Sequence, residues 1–100
     1  MEKQDPVEVS PDIYKVPLEN DRVRVLDIRM KPGEISPQHS HPAHVLYIFN
    51  DCKVKFSYPD GESEELELEA GQAIWSDEVT HEPENIGSTE VHAVAVEFKE

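Results

Sequence analysis

Three of the chain's five histidines, His39, His41 and His44, fall within six positions in the segment "HSHPAH", and a fourth, His81, follows in "VTHEPEN". Neutral imidazole is a common ligand for divalent first-row metals. Residues i and i+2 of a strand point to one face, so His39 and His41 form a chelating pair. Pro42 interrupts that strand and lets His44 change phase and rejoin the same face. Metal sites usually join a local cluster to a distant residue, and His81 is the distant candidate. An isolated pair of histidines is more often a surface or core feature than a site. The third and fourth rings lift the metal reading above that base.

The elements that must position these rings are strands. Eight prolines interrupt the chain so often that no long helical period survives. "RVRVLDIRM" (22–30) alternates Val23 and Val25, then Leu26, Ile28 and Met30, a change of phase that predicts a bulge. "VLYIF" (45–49) is apolar on both faces. "VKFSY" (54–58) and "ELELE" (65–69) flank "PDGES", strong hairpin chemistry. "QAIW" (72–75) and "VHAVAVEF" (91–98) complete the pattern of an antiparallel sandwich or barrel, with His81 at a turn after the strand at Trp75. The first dozen residues read equally as an edge strand or a loose arm.

"GEISPQHSH" resembles the first half of the first cupin motif, with Gly33, His39 and His41 in its glycine and histidine positions. "GQAIWSDEVTHEPEN" is similar to the second motif, with Gly71, His81 and Asn85 in place. The resemblance runs from about Asn20 to Lys99. It implies an all-β fold, an antiparallel double-stranded β-helix (a jelly-roll barrel), over residues 20–100. Residues 1–19 are then an N-terminal arm or edge strand. One departure bears on chemistry: counting back from the turn at Asp51, the motif's glutamate position holds His44. The ligand set the resemblance implies is therefore His39, His41, His44 and His81, with no carboxylate.

Four neutral imidazoles leave a divalent ion its full charge and keep it a strong Lewis acid. Octahedral coordination leaves two positions for a chelating substrate, or for one substrate atom together with dioxygen. All-histidine cupins similar to this chain include dioxygenases that cleave diketones, thiols or aromatic rings. The resemblance thus implies a mononuclear metal-dependent dioxygenase acting on a small organic substrate. Fe(II) or Mn(II) is favoured; Ni, Cu and Zn also bind imidazole well. A non-catalytic cupin that binds or senses a small ligand or metal, and a sugar isomerase or epimerase, are the alternatives. By alternation from His44, Leu46 and Ile48 line the substrate pocket, with Met30 or Ile28, Trp75 and Arg24 as further candidates. His92 shares its face with Val94, Val96 and Phe98 and is not expected to be a ligand.

Nine Lys and Arg against 22 Asp and Glu give a formal charge of −13. Such a field repels phosphate backbones and anionic lipid, so neither nucleic acid nor membrane is an expected partner. Cys52, the single cysteine, is placed at a turn and can form no intrachain disulfide. The opening "MEKQDPVEVSPDIYK" lacks a signal peptide's apolar stretch, and a cytoplasmic location is expected. A chain this short buries only about two-thirds of its unfolded surface. Small cupins commonly pair through edge strands, so the resemblance implies a homodimer. No phosphate-cradling glycine loop or nucleophile elbow competes with the histidines.

Overall fold

In a computed structural model that describes residues 4–99, two antiparallel sheets face one another around an apolar interior. Residues 1–3 of the expected arm and residue 100 of the expected barrel lie outside the described residues. A four-residue helix, α1 (Pro6–Val9), precedes nine strands: β1 (Tyr14–Glu19), β2 (Val23–Met30), β3 (His39–His41), β4 (His44–Ile48), β5 (Cys52–Ser57), β6 (Ser63–Leu68), β7 (Ala73–Ser76), β8 (Val79–Asn85) and β9 (Val91–Phe98). One sheet runs β1-β2-β9-β4-β7, the other β3-β8-β5-β6. Every pairing among these strands is antiparallel, as the fold reading expected.

The strands follow from alternation. In β9 the small inward residues Val91, Ala93 and Ala95 are buried, while Val94 and Val96 lie outward and half-buried. Leu26, Met30, Ile48, Val54 and Leu68 close the interior from the neighbouring strands. The β5–β6 hairpin turns at Pro59–Gly61. Gly61 takes the left-handed φ of 91° that the turn requires and a side chain would resist.

Three sequence expectations are corrected. β2 pairs with β9 without interruption from Val23 to Met30, so the bulge lies elsewhere, in β1 between Lys15 and Leu18. Val23 and Val25 are apolar because they face outward on a greasy sheet surface, not because the strand changes phase. His81 lies within strand β8, not at a turn. Cys52 begins β5 and is buried in the core, where burial pushes its thiol pKa up.

Candidate metal centre

The β3–β8 register sets the site. His39 stands directly opposite His81, and His41 opposite Val79. Directly opposed residues of an antiparallel pair share a face, with Cβ atoms about 4.5–5.5 Å apart. His41 shares it too, two residues from His39. The imidazoles of His39, His41 and His81 therefore converge from adjacent strands of one sheet. Ring centroids are 4.8 Å apart for His39–His41, 5.1 Å for His39–His81 and 5.3 Å for His41–His81. One ligand nitrogen from each ring lies within 4.8 Å of the others. Donors this close could be brought onto one divalent ion, which His39, His41 and His81 would then hold.

His44 comes from the opposite sheet. The chain leaves the four-stranded sheet after His41, passes Pro42 and Ala43, and enters the five-stranded sheet at His44. Its ring lies 5.0 Å from that of His41 and joins the cavity wall, but it is not part of the tight trio. The fourth histidine thus flanks the centre.

Hydrogen bonds prepare the rings for an ion. The carbonyl of Pro37 accepts from Nδ1 of His39 at 2.9 Å, and the carbonyl of Pro42 accepts from Nδ1 of His44 at 2.8 Å. A carbonyl only accepts, so each bond fixes the proton on Nδ1 and leaves the Nε2 lone pair free for metal. This Pro-x-His device occurs twice in "PQHSHPAH". His41 achieves the same end differently: its Nδ1 donates to Oε2 of Glu97 at 2.6 Å. His81 stacks on Phe56, centroids 4.9 Å apart, and its ring makes no hydrogen bond among the described residues. Tyr14, buried, donates its hydroxyl to Nε2 of His39 at 3.2 Å, and so competes with an ion for that lone pair.

Charge follows burial. Burial lowers the pKa of His39 to about 4, helped by the charge of His41. Burial and three neighbouring imidazoles lower His81 to about 2, and burial lowers His44 as well. Those rings are neutral near pH 7, the state that ligates. Burial pushes the Glu97 carboxyl up, but bonds from His41 and Arg24 outweigh it and hold the group below the usual range. A carboxylate is thus present after all, one layer behind the imidazoles. The imidazole donors, with Nδ1 of His39 and His41 already bonded from behind, fit a divalent metal.

Arg24 is corrected as a pocket residue. Its guanidinium bonds Oε1 of Glu97 and Oδ2 of Asp5, each at 2.9 Å, and it lies outside the barrel cavity. Its partner stands 73 positions away in sequence, beyond local pattern reading. A cavity of about 230 Å³ opens beside His41, His44 and His81, and Met30, Leu46, Ile48 and Ile28 are among the residues that line it. Trp75 borders it only in part. It pairs with Val45 on the outer face, 58% exposed, while Ile74 takes the inner position opposite Leu46. His92 bonds Asp27 on the outer face, away from the trio. Asn85 is structural: buried, it donates to the carbonyls of Met30 and Thr89.

Residues 26–97 match the cupin domain family. The chain is a cupin. A cupin domain from Bordetella pertussis Tohama I is 26% identical, with TM-score 0.82, and the alignment covers 100% of this chain and 99% of that one. An RmlC-like cupin from Methanocaldococcus jannaschii is 17% identical, with TM-score 0.69, over 87% and 79% of the two chains. The structure of Fe(II)-HppE with the alternative substrate (S)-1-HPP shares the fold at 14% identity and TM-score 0.63, covering 85% of this cupin and 48% of that chain. No curated protein matches the chain. Among the described residues, no helix is long and apolar enough to cross a membrane.

Proposed function

We propose that this cupin is a mononuclear metal-dependent oxygenase of the dioxygenase type, acting on a small, largely apolar organic molecule, with Fe(II) or Mn(II) as its metal. The observation that carries the reading is the convergence of His39, His41 and His81 beside an apolar cavity that two of them line. A divalent ion held there would supply Lewis acidity, redox chemistry and open coordination positions. His39, His41 and His81 hold it, and His44 borders the open side. Met30, Leu46, Ile48 and Ile28 shape the substrate space and keep water out. The likeness to an Fe(II) protein of the same fold supports iron as a candidate.

The wall argues against the sugar isomerase alternative. A sugar needs a hydrogen-bonding partner for most of its hydroxyls, whereas aliphatic side chains dominate this lining. The test is oxygen consumption by Fe(II)- and Mn(II)-loaded protein against a panel of diketones, thiols and catechols. Uptake dependent on both metal and one substrate class supports the reading. A loaded protein that consumes no oxygen with any of them favours the non-catalytic binding reading.

As for a macromolecular partner, a second copy is the one we propose, seated on the outer face of the five-stranded sheet. Leu18, Val45, Tyr47, Trp75, Val96 and Phe98 lie there, and Trp75 and Phe98 are in ring contact. Of the outward positions on β2, β9, β4 and β7, Asp27 is the one carboxylate, and Arg29 and His92 both bond it. Two copies that each carry −13 can meet on this face without opposing their acids.

A further inference from the structure

The segment from Gln4 to Ser10 touches the His39–His41 strand by three separate routes. Gln4 offers its carbonyl to the backbone N–H of Ser40, the residue between the two histidines, at 2.7 Å. Asp5 binds Arg24, Arg24 binds Glu97, and Glu97 accepts from His41 Nδ1, an unbroken line of charged bonds at 2.9, 2.9 and 2.6 Å. Ser10, buried, bonds the buried hydroxyl of Ser36 at 2.9 Å, and that hydroxyl lies 3.2 Å from Nδ1 of His39. Past this segment, Tyr14 at the start of β1 packs edge-on against both rings, at centroid distances of 5.2 and 6.0 Å.

Nothing in β3 itself accounts for so many ties. A three-residue strand at the edge of its sheet pairs on one side only, with β8. Its other side is where the N-terminal segment lies, and Gln4 takes the Ser40 N–H that the sheet leaves unpaired. The segment also has its own internal order. The Asp5 side chain caps α1 by accepting from the N–H of Val7 at 2.8 Å, and Ser10 closes the turn by donating to Pro6. One Asp5 carboxylate therefore holds the helix with one oxygen and the route to His41 with the other.

We propose that residues 4–10 form a latch that sets the His39 and His41 imidazoles for metal, so that docking of the segment and loading of the centre favour one another. This rests on the metal reading of the trio given above. Bonds one layer behind the ligands orient them and raise their affinity for an ion. If the docked segment favours the ion, the ion must favour docking by the same factor.

Asp5→Asn isolates the effect. Asparagine caps a helix about as well as aspartate, so α1 keeps its start while the charged bond to Arg24 is lost. The probe is Zn2+ titrated against a chromophoric chelator on the full chain, with Asp5→Asn, Ser10→Ala and, as a control on the same segment, Glu8→Ala. Amide hydrogen exchange of wild type with and without Zn2+ is the second readout. We expect Asp5→Asn and Ser10→Ala to weaken Zn2+ binding by about tenfold, in the range for loss of such supporting bonds, and Glu8→Ala to leave it unchanged. Zn2+ should slow exchange across residues 4–10 as well as at β3. Wild-type affinity in both variants, with exchange of the segment indifferent to Zn2+, overturns the latch and leaves the metal site standing. A wild-type chain that takes up no Zn2+ overturns the site reading and the latch with it.

Discussion

Glu97 sits directly opposite His44 in the β4–β9 register, yet its carboxylate bonds His41, on the facing sheet, through Nδ1 at 2.6 Å. That contact carries the negative charge the ligand set lacks and ties the two sheets together at the centre. Glu97→Gln preserves the shape and removes the charge. We expect metal affinity to fall by 10–100-fold. Stability without metal should fall by about 1–3 kcal/mol, because the Arg24 guanidinium loses a charged partner. A chelator competition assay and urea unfolding measure the two effects. Unchanged affinity would show that His41 is oriented by β3 alone.

Tyr14→Phe has the opposite sign. The hydroxyl donates to Nε2 of His39, the atom an ion would take, while the ring provides the packing. Removing the hydroxyl frees the lone pair, and metal affinity should rise by roughly 2–10-fold, the equivalent of one ordinary hydrogen bond. Weaker binding in this variant would mean that the phenol oxygen helps to hold the ion.

Acid should loosen the metal-free protein early. His39 and His81 have pKa values of about 4 and about 2, below the ordinary 6.5, so the unfolded chain takes up protons first. Their stabilisation is complete above about pH 6.5 and is lost as pH falls toward 4 for His39 and beyond for His81, by up to about 1.4 kcal/mol per pH unit for each ring. Glu97 and Asp5, held below the usual carboxylate range, act in the same direction at lower pH. Urea midpoints at pH 7, 6 and 5 should decline steadily. A midpoint constant down to pH 5 would contradict this charge assignment.

The outer sheet face gives a prediction about assembly. Light scattering should find wild type at twice the chain mass, and Tyr47→Glu or Trp75→Glu, which places acid on the neutral face, at the monomer mass. Monomeric wild type would remove this face as an interface.

Much of this was legible in the sequence. β5, β6 and β9 follow from apolar alternation, β4 and β7 from short apolar runs, and the β5–β6 turn from Pro-Asp-Gly. The pairing of His39 with His41 needs only the two-residue period. β8 was hidden because its inward residues are His81, Pro83 and Asn85, which carry no hydrophobic period. Its strand character comes from its neighbours, β3 and β5. Glu97 was hidden inside the strongest strand pattern of the chain, where an inward carboxylate reads as surface until Arg24 and His41 are seen to meet it. Trp75, a pocket candidate in the sequence, pairs with Val45 on the outer face. The register shows that Ile74 holds the inner position.

The central claim is that His39, His41 and His81 hold one metal ion, and stoichiometry tests it most directly. Elemental analysis should find about one divalent metal per chain in untagged wild type, with His92→Ala unchanged. His44→Ala should keep its metal at reduced affinity, and folded His81→Ala should lose most of it. A metal-free wild type, or a His81→Ala variant that stays as fully loaded as wild type, would contradict the account.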